Sequence, residues 1–377
     1  MMGEKSMMES APGPETVIDG QSYLYFGGTS YLGLAAHPAV IEAGCDALRR
    51  YGVHSATSRS RFGNIPPVLD VESKAAEFFG TDAAFYFGSG YMSNHILVSA
   101  LGPTADAILV DSSSHYCVLE AAGLAGVPVI TFEPRDVEDL LRKRSGYSNV
   151  LVMADAVGAS SGELAPVEDY IDGLEGKGNS TIVLDDAHGF GVLGPKGRGL
   201  LDELGYWSQT NGDGGGKVDG VDLVVGGTLS KALGGFGGII PGSSGFVSRV
   251  RDASHYFDGA SAPAAAVAGS SAKALELILT RPGLRQSLRE NTLFVRNGMR
   301  DLDLTVPDGM SAHFGVSIGD AANMERIHQA LKEKGILLPY VGAYSGIPEE
   351  GVMRCAVFAT HSHDQLERLL SELGNVL

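Results

Sequence analysis

A single lysine, Lys231, stands among glycines and small hydroxyl residues in the stretch VVGGTLSKALGGFGGIIPG (224–242). A phosphate-binding loop has glycine immediately before its lysine and Ser or Thr immediately after it. Here Ser230 and Ala232 flank the lysine, so a loop of that kind is excluded. The preceding run DLVVGGT is typical of a short buried strand that ends in a glycine turn. A lysine just beyond such a strand is suited to covalent chemistry on a flat molecule, with a surface lysine in a loop as the alternative.

A second candidate group follows the run TIVL in TIVLDDAHGFGVLGPKGRG, where Asp185, Asp186 and His188 end a buried strand. The glycines that come next match a dinucleotide fingerprint, which requires a helix to begin at them. Pro195 and two further glycines follow within a few residues, so no helix is expected and this type of site is excluded. Acidic residues that end a buried strand cost free energy unless they are paired. They are therefore either functional carboxylates or structural aspartates with hydrogen-bond partners.

Charge and cysteine usage exclude several classes of protein. The 377 residues contain 28 Lys and Arg against 45 Asp and Glu, for a formal net charge of −17, which disfavours nucleic acid or an anionic membrane as a partner. Cys45, Cys117 and Cys355 form no CxxC pair, so neither a disulfide scaffold nor a metal site is expected. The start, MMGEKSMMESAPGPE, has no apolar segment, and no apolar run reaches membrane-spanning length. We expect a soluble, cytoplasmic protein without a membrane span.

The pattern along the chain predicts an α/β protein with a mostly parallel sheet sandwiched by helices. Short, continuously apolar runs predict strands that are covered on both faces; they are AILVDSS, VPVITF, VLVMADAV, TIVLDDAH and DLVVGG. The segments VLEAAGLAG and VEDLLRKR predict helices between them, and SAPAAAVAGSSAKALELIL predicts a long helix. After it come a strand, a helix, a strand and a helix in AHFGVSIG, MERIHQALKEKG, GVMRCAVFA and SHDQLERLLSEL. Ligands of such sheets bind at the carboxyl ends of the strands, and TNGDGGGK (210–217) is expected to be an exposed loop.

Read together, DDAHGFGVLGPKGRG and TLSKALGGFGG resemble the pyridoxal-phosphate-dependent transferases of fold type I, and most closely the α-oxoamine synthase family. The resemblance continues through nearly the whole chain, in SYLGLAAHPAVIEA, FYFGSGYMSN, VDSSSHYCVLEAA, SSGELAPVEDY and VMRCAVFATHS. It implies pyridoxal 5′-phosphate (PLP) as the cofactor. The change of pattern after the long helix predicts a smaller C-terminal α/β domain (268–377), which follows an N-terminal arm (1–34) and a large cofactor-binding domain (35–267).

The resemblance gives the candidate residues catalytic roles. Lys231 would bind the cofactor covalently and then act as acid and base. Asp185 would bond the protonated pyridine nitrogen, which keeps the ring an electron sink, and His188 would contact the phenolic oxygen. His115 matches the histidine that stacks on the ring, with an exposed loop histidine as the alternative.

Five further residues are expected to bind the cofactor's phosphate. In GSGYMSN, the backbone N–H groups of Ser89, Gly90 and Tyr91 would face the phosphate at the start of a helix, where the helix dipole favours an anion. The hydroxyls of Thr228 and Ser230 would contribute from the loop that carries the lysine. A role as ordinary turn residues is compatible with this assignment.

Substrate binding and assembly are also implied by the resemblance. Arg354 matches the arginine that holds the amino-acid carboxylate, with a structural ion pair as the alternative. Thr29 takes the place of an asparagine that belongs to the substrate pocket in the family. Ser261, in GASAP, matches a segment that approaches the phosphate of the neighbouring subunit, which predicts a homodimer with shared active sites.

The implied reaction joins a small amino acid to an acyl-CoA, or to an acyl-carrier thioester, with loss of carboxylate, to give an amino ketone. Ala159 replaces the serine that lies near the cofactor's phenolic oxygen in the family. This replacement and the one at Thr29 both affect the substrate side of the site. An aminotransferase on the same scaffold is the alternative. A non-catalytic subunit is a third hypothesis, and the presence of Lys231, Asp185 and His188 argues against it.

Overall fold

The computed structural model describes residues 6–212 and 217–377. Its strands are β1 (Glu15–Ile18), β2 (Gln21–Tyr25), β3 (Ala83–Phe87), β4 (Ala107–Asp111), β5 (Val129–Phe132), β6 (Asn149–Asp155), β7 (Asn179–Asp185), β8 (Val221–Thr228), β9 (Gly238–Gly242), β10 (His313–Val316), β11 (Ile336–Leu337), β12 (Tyr340–Val341) and β13 (Val352–Ala356). Its helices are α1 (Pro38–Tyr51), α2 (Pro66–Phe79), α3 (Met92–Leu101), α4 (Tyr116–Ala122), α5 (Val137–Arg144), α6 (Val167–Leu174), α7 (Leu200–Glu203), α8 (Ser244–Asp252), α9 (Ala265–Thr280), α10 (Gly283–Asp301), α11 (Ala321–Glu333) and α12 (His363–Gly374). Residues 213–216 of the predicted glycine-rich loop lie outside the described part of the chain.

A seven-stranded sheet in the order β3-β9-β8-β7-β6-β4-β5 forms the centre of the molecule. From β8 to β5 neighbouring strands run parallel, and β9 is antiparallel to both of its neighbours, β3 and β8. The five strands predicted from continuously apolar runs all lie in this sheet. The predicted mostly parallel α/β sheet is therefore confirmed.

Helices cover both faces of the sheet, which explains why its strands are apolar without alternation. In β7, Ile182 and Leu184 pack into one hydrophobic cluster while Val183, between them, packs into the cluster on the opposite face. The three side chains are fully buried. Each contributes about 1.5–3 kcal/mol relative to an exposed side chain, so both faces hold the strand in place.

The C-terminal part of the chain forms a smaller three-stranded antiparallel sheet in the order β10-β13-β12, packed with α10, α11 and α12 around its own core. The strand, helix, strand and helix predicted here are present, and Ser362 and Gln365 form the capping box that starts α12. The N-terminal β2 pairs with β11, while α9 packs against α1 and α2 of the large domain. The domain boundaries at 34/35 and 267/268 stay a prediction.

The carboxyl ends of the parallel strands place polar residues side by side. In the strand register Asp155, at the end of β6, lies directly opposite Asp185, at the end of β7, and Asp185 lies opposite Gly226 in β8. Thr228 ends β8, three residues before Lys231. This edge of the sheet therefore gathers the candidate residues, as expected for an α/β sheet. In the described part of the chain, every helix is too short or too polar to cross a membrane.

Candidate active site

A cavity of about 240 Å³ lies at this edge of the sheet. Nine of the twelve predicted site residues line it: Ser89, Gly90, Tyr91, His115, Asp185, His188, Thr228, Ser230 and Lys231. Thr29, Ser261 and Arg354 do not. Cys117, Asp155 and Ala159 complete much of the remaining wall. Since these residues come from separate strands and loops, the sheet positions them together.

Lys231 follows β8 in a turn that the surrounding glycines close, with Gly234 donating its N–H to the Lys231 carbonyl over 3.0 Å. Burial lowers the pKa of the Lys231 amine, while the carboxylates of Asp185 and Asp155 oppose that shift. Within residues 6–212 and 217–377 the amine forms neither a hydrogen bond nor an ion pair. This side chain is only partly exposed and lines the cavity, which argues against a surface lysine in a loop.

Asp185 is buried and held by neutral donors. Asn94 Nδ2 donates to Asp185 Oδ2 over 2.6 Å, and the backbone N–H of Ala187 donates to Asp185 Oδ1 over 3.0 Å. The thiol of Cys117 is 3.5 Å from Asp185 Oδ2. Burial first, and then the nearby Asp185 carboxylate, raise the pKa of Asp155 well above its ordinary value. The pair therefore resists carrying two negative charges.

Asp186 points away from this cavity and has the structural role that the sequence left open. Its Oδ2 accepts a hydrogen bond from the backbone N–H of Leu200 over 2.6 Å. The side chain is fully buried, and burial raises its pKa to about 7. Gly199 must lack a side chain here, because a Cβ would meet Asp186 Oδ2 at 1.9 Å and the residue has a φ of +104°.

His115 is the N-cap of α4 and is fixed by its neighbours. Its Nδ1 accepts the backbone N–H of Cys117 over 3.2 Å, and its own backbone N–H donates to Asp155 Oδ2 over 2.9 Å. Burial lowers the pKa of His115. The ring also contacts Tyr91 edge-on and Tyr344 from the C-terminal domain, with centroid separations of 5.9 and 6.0 Å. The alternative of an exposed loop histidine is therefore wrong.

His188 belongs to a buried network that the sequence did not reveal. The Tyr31 hydroxyl is 2.9 Å from His188 Nδ1 and 3.0 Å from His313 Nδ1. His313 Nε2 in turn lies 2.9 Å from the carbonyl oxygen of Gly158. Burial, reinforced by the positive charge of Lys231, lowers the pKa of His188 well below its ordinary value. Burial also lowers the pKa of His313 and raises that of Tyr31 to about 12.

Arg354, in β13 of the C-terminal domain, reaches the same network. Its Nη2 donates to the Tyr31 hydroxyl over 3.3 Å, its Nη1 to the Gly28 carbonyl over 3.1 Å, and its Nε to the Ala159 carbonyl over 3.3 Å. Among the described residues it forms no ion pair, which excludes the structural ion pair as its role. Of the five N–H donors of an arginine, one on Nη1 and one on Nη2 therefore remain for a ligand.

The wall formed by residues 89–91 has donors for an anion. These residues lead directly into α3, and the described part of the chain provides no acceptor for the backbone N–H of Ser89 or Gly90. Gly90 lies against Thr228, where a Cβ would meet the Thr228 Cβ at 2.5 Å. Ser230 Oγ accepts the backbone N–H of Gly237 over 3.1 Å and lies 3.0 Å from Thr228 Oγ1, so the two hydroxyls are hydrogen-bonded to each other beside this wall.

Ser261 lies in a neighbouring cavity of about 220 Å³ that shares Ser89 with the first. Arg59 also lines this second cavity, and its guanidinium is held by a buried ion pair with Glu72 over 2.7 Å. Thr29 is half-buried, and its carbonyl accepts the backbone N–H of Tyr31 over 2.8 Å. The structure thus places Thr29 beside the histidine network and leaves Ser261 outside the main cavity.

The residues present fit the predicted cofactor. PLP combines an aldehyde, a pyridine nitrogen, a phenolic oxygen and a phosphate. Among the residues that the structure describes, the cavity contains an amine without a partner, a buried carboxylate, a histidine, and backbone N–H groups without acceptors at the start of a helix. Each of these groups complements one part of the cofactor.

Comparison with known proteins identifies the family. The model of the aminotransferase class I and II family matches residues 23–373. The chain is 31% identical to the 8-amino-7-oxononanoate synthase of Trichlorobacter lovleyi over 368 residues, covering 96% of this chain and 91% of the relative. It is 32% identical to the enzyme of the same name from Pseudomonas putida over 373 residues, covering 98% and 92%. The chain belongs to the aminotransferase class I and II family.

Its structure agrees with this assignment. The serine palmitoyltransferase of Sphingomonas wittichii superposes with a TM-score of 0.87 at 26% identity, over 98% of this chain and 91% of that one. The predictions of fold type I, of the α-oxoamine synthase family and of a PLP-dependent acyltransferase are therefore confirmed. The assignment of roles to individual residues stays a prediction.

Proposed function

We propose that this enzyme condenses a small amino acid with an acyl thioester, releasing the amino-acid carboxylate as carbon dioxide and forming an amino ketone. The observation that carries the proposal is Arg354, which lies on the same network as His188 and keeps one N–H on each of Nη1 and Nη2 without an acceptor among the described residues. The guanidinium of an arginine can bond both oxygens of a carboxylate. The names of the relatives, a synthase and a palmitoyltransferase, support transfer of an acyl chain.

PLP would be held by residues from both sides of the cavity. Lys231 would bind it covalently, Asp185 would bond its ring nitrogen, and His188 would face its phenolic oxygen. The free N–H groups of Ser89 and Gly90, with Tyr91, Thr228 and Ser230, would bind its phosphate. When bound, PLP withdraws electrons from the α-carbon of an attached amino acid, so that a bond to that carbon can break.

Lys231 would then move a proton at the α-carbon of the amino acid. An amine is useful for this when it is partly deprotonated near neutral pH. Burial lowers the pKa of Lys231, so its Nζ accepts a proton and releases it again more readily than an exposed lysine. The carboxyl groups of Asp185 and Asp155 limit this shift, because negative charge on the pair favours the ammonium form.

Arg354 would orient the amino acid by its carboxylate. Its three hydrogen bonds to Gly28, Tyr31 and Ala159 fix the guanidinium before any ligand arrives. Prior fixation lowers the entropy that binding must otherwise remove. We expect Arg354→Lys to raise the KM for the amino acid, because an ammonium cannot supply two parallel donors.

A homodimer with shared active sites is part of this proposal. Ser261 is exposed and lies in the cavity that adjoins the phosphate-binding wall through Ser89. A neighbouring subunit that supplied its own Ser261 to this region would add a hydroxyl near the phosphate. Sedimentation at several concentrations tests the dimer, and Ser261→Ala tests the contribution to cofactor affinity. The cytoplasmic location stays a prediction.

The deciding experiment mixes the PLP-loaded enzyme with glycine, alanine or serine and a set of acyl-CoAs of different chain lengths. Release of free CoA thiol together with labelled carbon dioxide from the amino-acid carboxyl group is the expected result. The pair of substrates that gives the highest kcat/KM identifies the specificity. The control is Lys231→Ala, which should release neither. A keto acid released without thiol would replace this proposal with an aminotransferase.

A further inference from the structure

The contacts of the Tyr31 hydroxyl indicate which ring nitrogens of His188 and His313 carry a proton. The Tyr31 oxygen has three polar neighbours: Arg354 Nη2 at 3.3 Å, His188 Nδ1 at 2.9 Å and His313 Nδ1 at 3.0 Å. A hydroxyl donates one hydrogen bond and accepts at most two. Arginine can only donate. Tyr31 must therefore donate its proton to one histidine and accept a proton from the other.

The carbonyl of Gly158 decides which histidine receives the proton. A carbonyl oxygen only accepts, so His313 Nε2, at 2.9 Å from it, must carry a proton. His313 is completely buried without a carboxylate partner in the described residues, and burial lowers its pKa well below the ordinary value. It is therefore neutral and its Nδ1 has no proton, so Tyr31 donates to His313 Nδ1.

We infer that His313, acting through Tyr31, is a positioning residue that holds His188 as the Nδ1–H tautomer with an unprotonated Nε2 available to the cavity. With the hydroxyl proton directed to His313, the Tyr31 oxygen can only accept from His188 Nδ1. His188 is itself buried and neutral, so its single ring proton is on Nδ1. The other ring nitrogen is then an acceptor.

This inference deepens the proposed function. The tautomer of His188 follows from the contacts alone, and only its consequence for catalysis rests on the proposed function. An acceptor Nε2 takes a hydrogen bond or a proton from the cofactor or the substrate, whereas the opposite tautomer would donate one. Arg354 contributes to the same arrangement, because its donation to Tyr31 occupies one of the two lone pairs of the hydroxyl. The proposed carboxylate-binding residue and the histidine at the cofactor are thus coupled through one hydroxyl.

The test measures the tautomer directly, without turnover. The full chain contains 10 histidines, and ¹⁵N-histidine labelling lets NMR distinguish a protonated ring nitrogen from an unprotonated one. The cofactor is released from Lys231 with hydroxylamine and then removed by dialysis, and His188→Gln identifies the signals of His188. The expected spectrum has the proton of His188 on Nδ1. A proton on Nε2 would overturn the inference, whatever reaction the enzyme catalyses.

Two substitutions test the role of His313. His313→Leu removes the acceptor, so Tyr31 should donate to His188 Nδ1 instead and shift the tautomer ratio by about tenfold or more toward Nε2–H. His313→Gln should keep the original tautomer, because its amide can donate to Gly158 and its carbonyl can accept from Tyr31. An unchanged ratio in a folded His313→Leu protein would show that His313 does not set the tautomer. If His313→Leu does not fold, the spectrum of the unsubstituted chain still decides.

Discussion

Replacing Asn94 with alanine should weaken PLP binding by about 10- to 150-fold. Asn94 Nδ2 donates to Asp185 Oδ2 over 2.6 Å, and both side chains are buried, at 1% and 7% exposure. A hydrogen bond to a charged group contributes about 1.5–3 kcal/mol, and tenfold in affinity corresponds to about 1.4 kcal/mol. If Asp185 must be an anion to bond the ring nitrogen of the cofactor, loss of this donor reduces affinity by that factor.

The assay is a titration of the cofactor-free protein with PLP, followed by absorbance at fixed pH. Asn291→Ala is the matched control, because Asn291 Nδ2 donates to the carbonyls of Phe358 and His361 and does not line the cavity. Both variants lose an amide that donates to the protein. Only Asn94→Ala should change the dissociation constant, and thermal unfolding confirms that each variant folds.

A double-mutant cycle identifies the route of the effect. If Asn94 acts through Asp185, adding Asn94→Ala to an Asp185→Ala protein should change the affinity by less than about twofold. A dissociation constant within about threefold of the unsubstituted protein would refute the reasoning for the single variant. So would an effect that persists in the absence of Asp185, because it would locate the cause elsewhere in the cavity wall.

Three other perturbations have definite outcomes. Lys231→Ala should abolish the absorbance of the lysine-bound cofactor, and an unchanged spectrum would disprove the assignment of this lysine. Gly90→Ala should weaken PLP binding by about fivefold or more, because its Cβ would meet Thr228 at 2.5 Å. Gly88→Ala is the control and should leave PLP binding unchanged, because a Cβ there meets nothing within 4 Å. Equal losses of affinity in the two variants would contradict this. Burial lowers the pKa of His361 to about 4, so below pH 6.5 the unfolded chain binds a proton that the folded chain does not. In urea titrations, the free energy of unfolding should fall by up to about 1.4 kcal/mol per pH unit between pH 6.5 and 4, relative to that of His361→Gln. The same pH dependence of the free energy of unfolding in both proteins would rule this out.

The sequence predicts the parallel strands well because burial on both faces demands apolar residues at every position, as in β4, β6 and β7. It does not indicate β9, whose residues GIIPG read as part of a glycine loop. Proline supplies no N–H and is rarely found inside a sheet. Yet Pro241 pairs with Ala84 between β3 and β8, because packing in the sheet outweighs the weak strand preference of this segment.

Only some residues of the candidate site have a local sequence signal. Lys231, Asp185 and His188 were found because each lies in a distinctive local stretch of sequence. Asp155 could have been found as well, since it ends the apolar run VLVMAD just as Asp185 ends TIVLD. Tyr31 and His313 carry no such signal: their contact joins residues 282 positions apart, and a distant partner leaves no local periodicity.

The position of β3 has a consequence for how the protein is made. This strand lies at the edge of the sheet, and in the part of the chain that the structure describes it pairs only with β9, about 150 residues later. At ribosomal rates of about 5–20 residues per second, it waits on the order of ten seconds for its partner. An unpaired apolar strand is open to aggregation during that time. The last residue that lines the cavity, Phe236, lies two residues before β9, so the cavity residues and the partner of β3 are synthesised at nearly the same time.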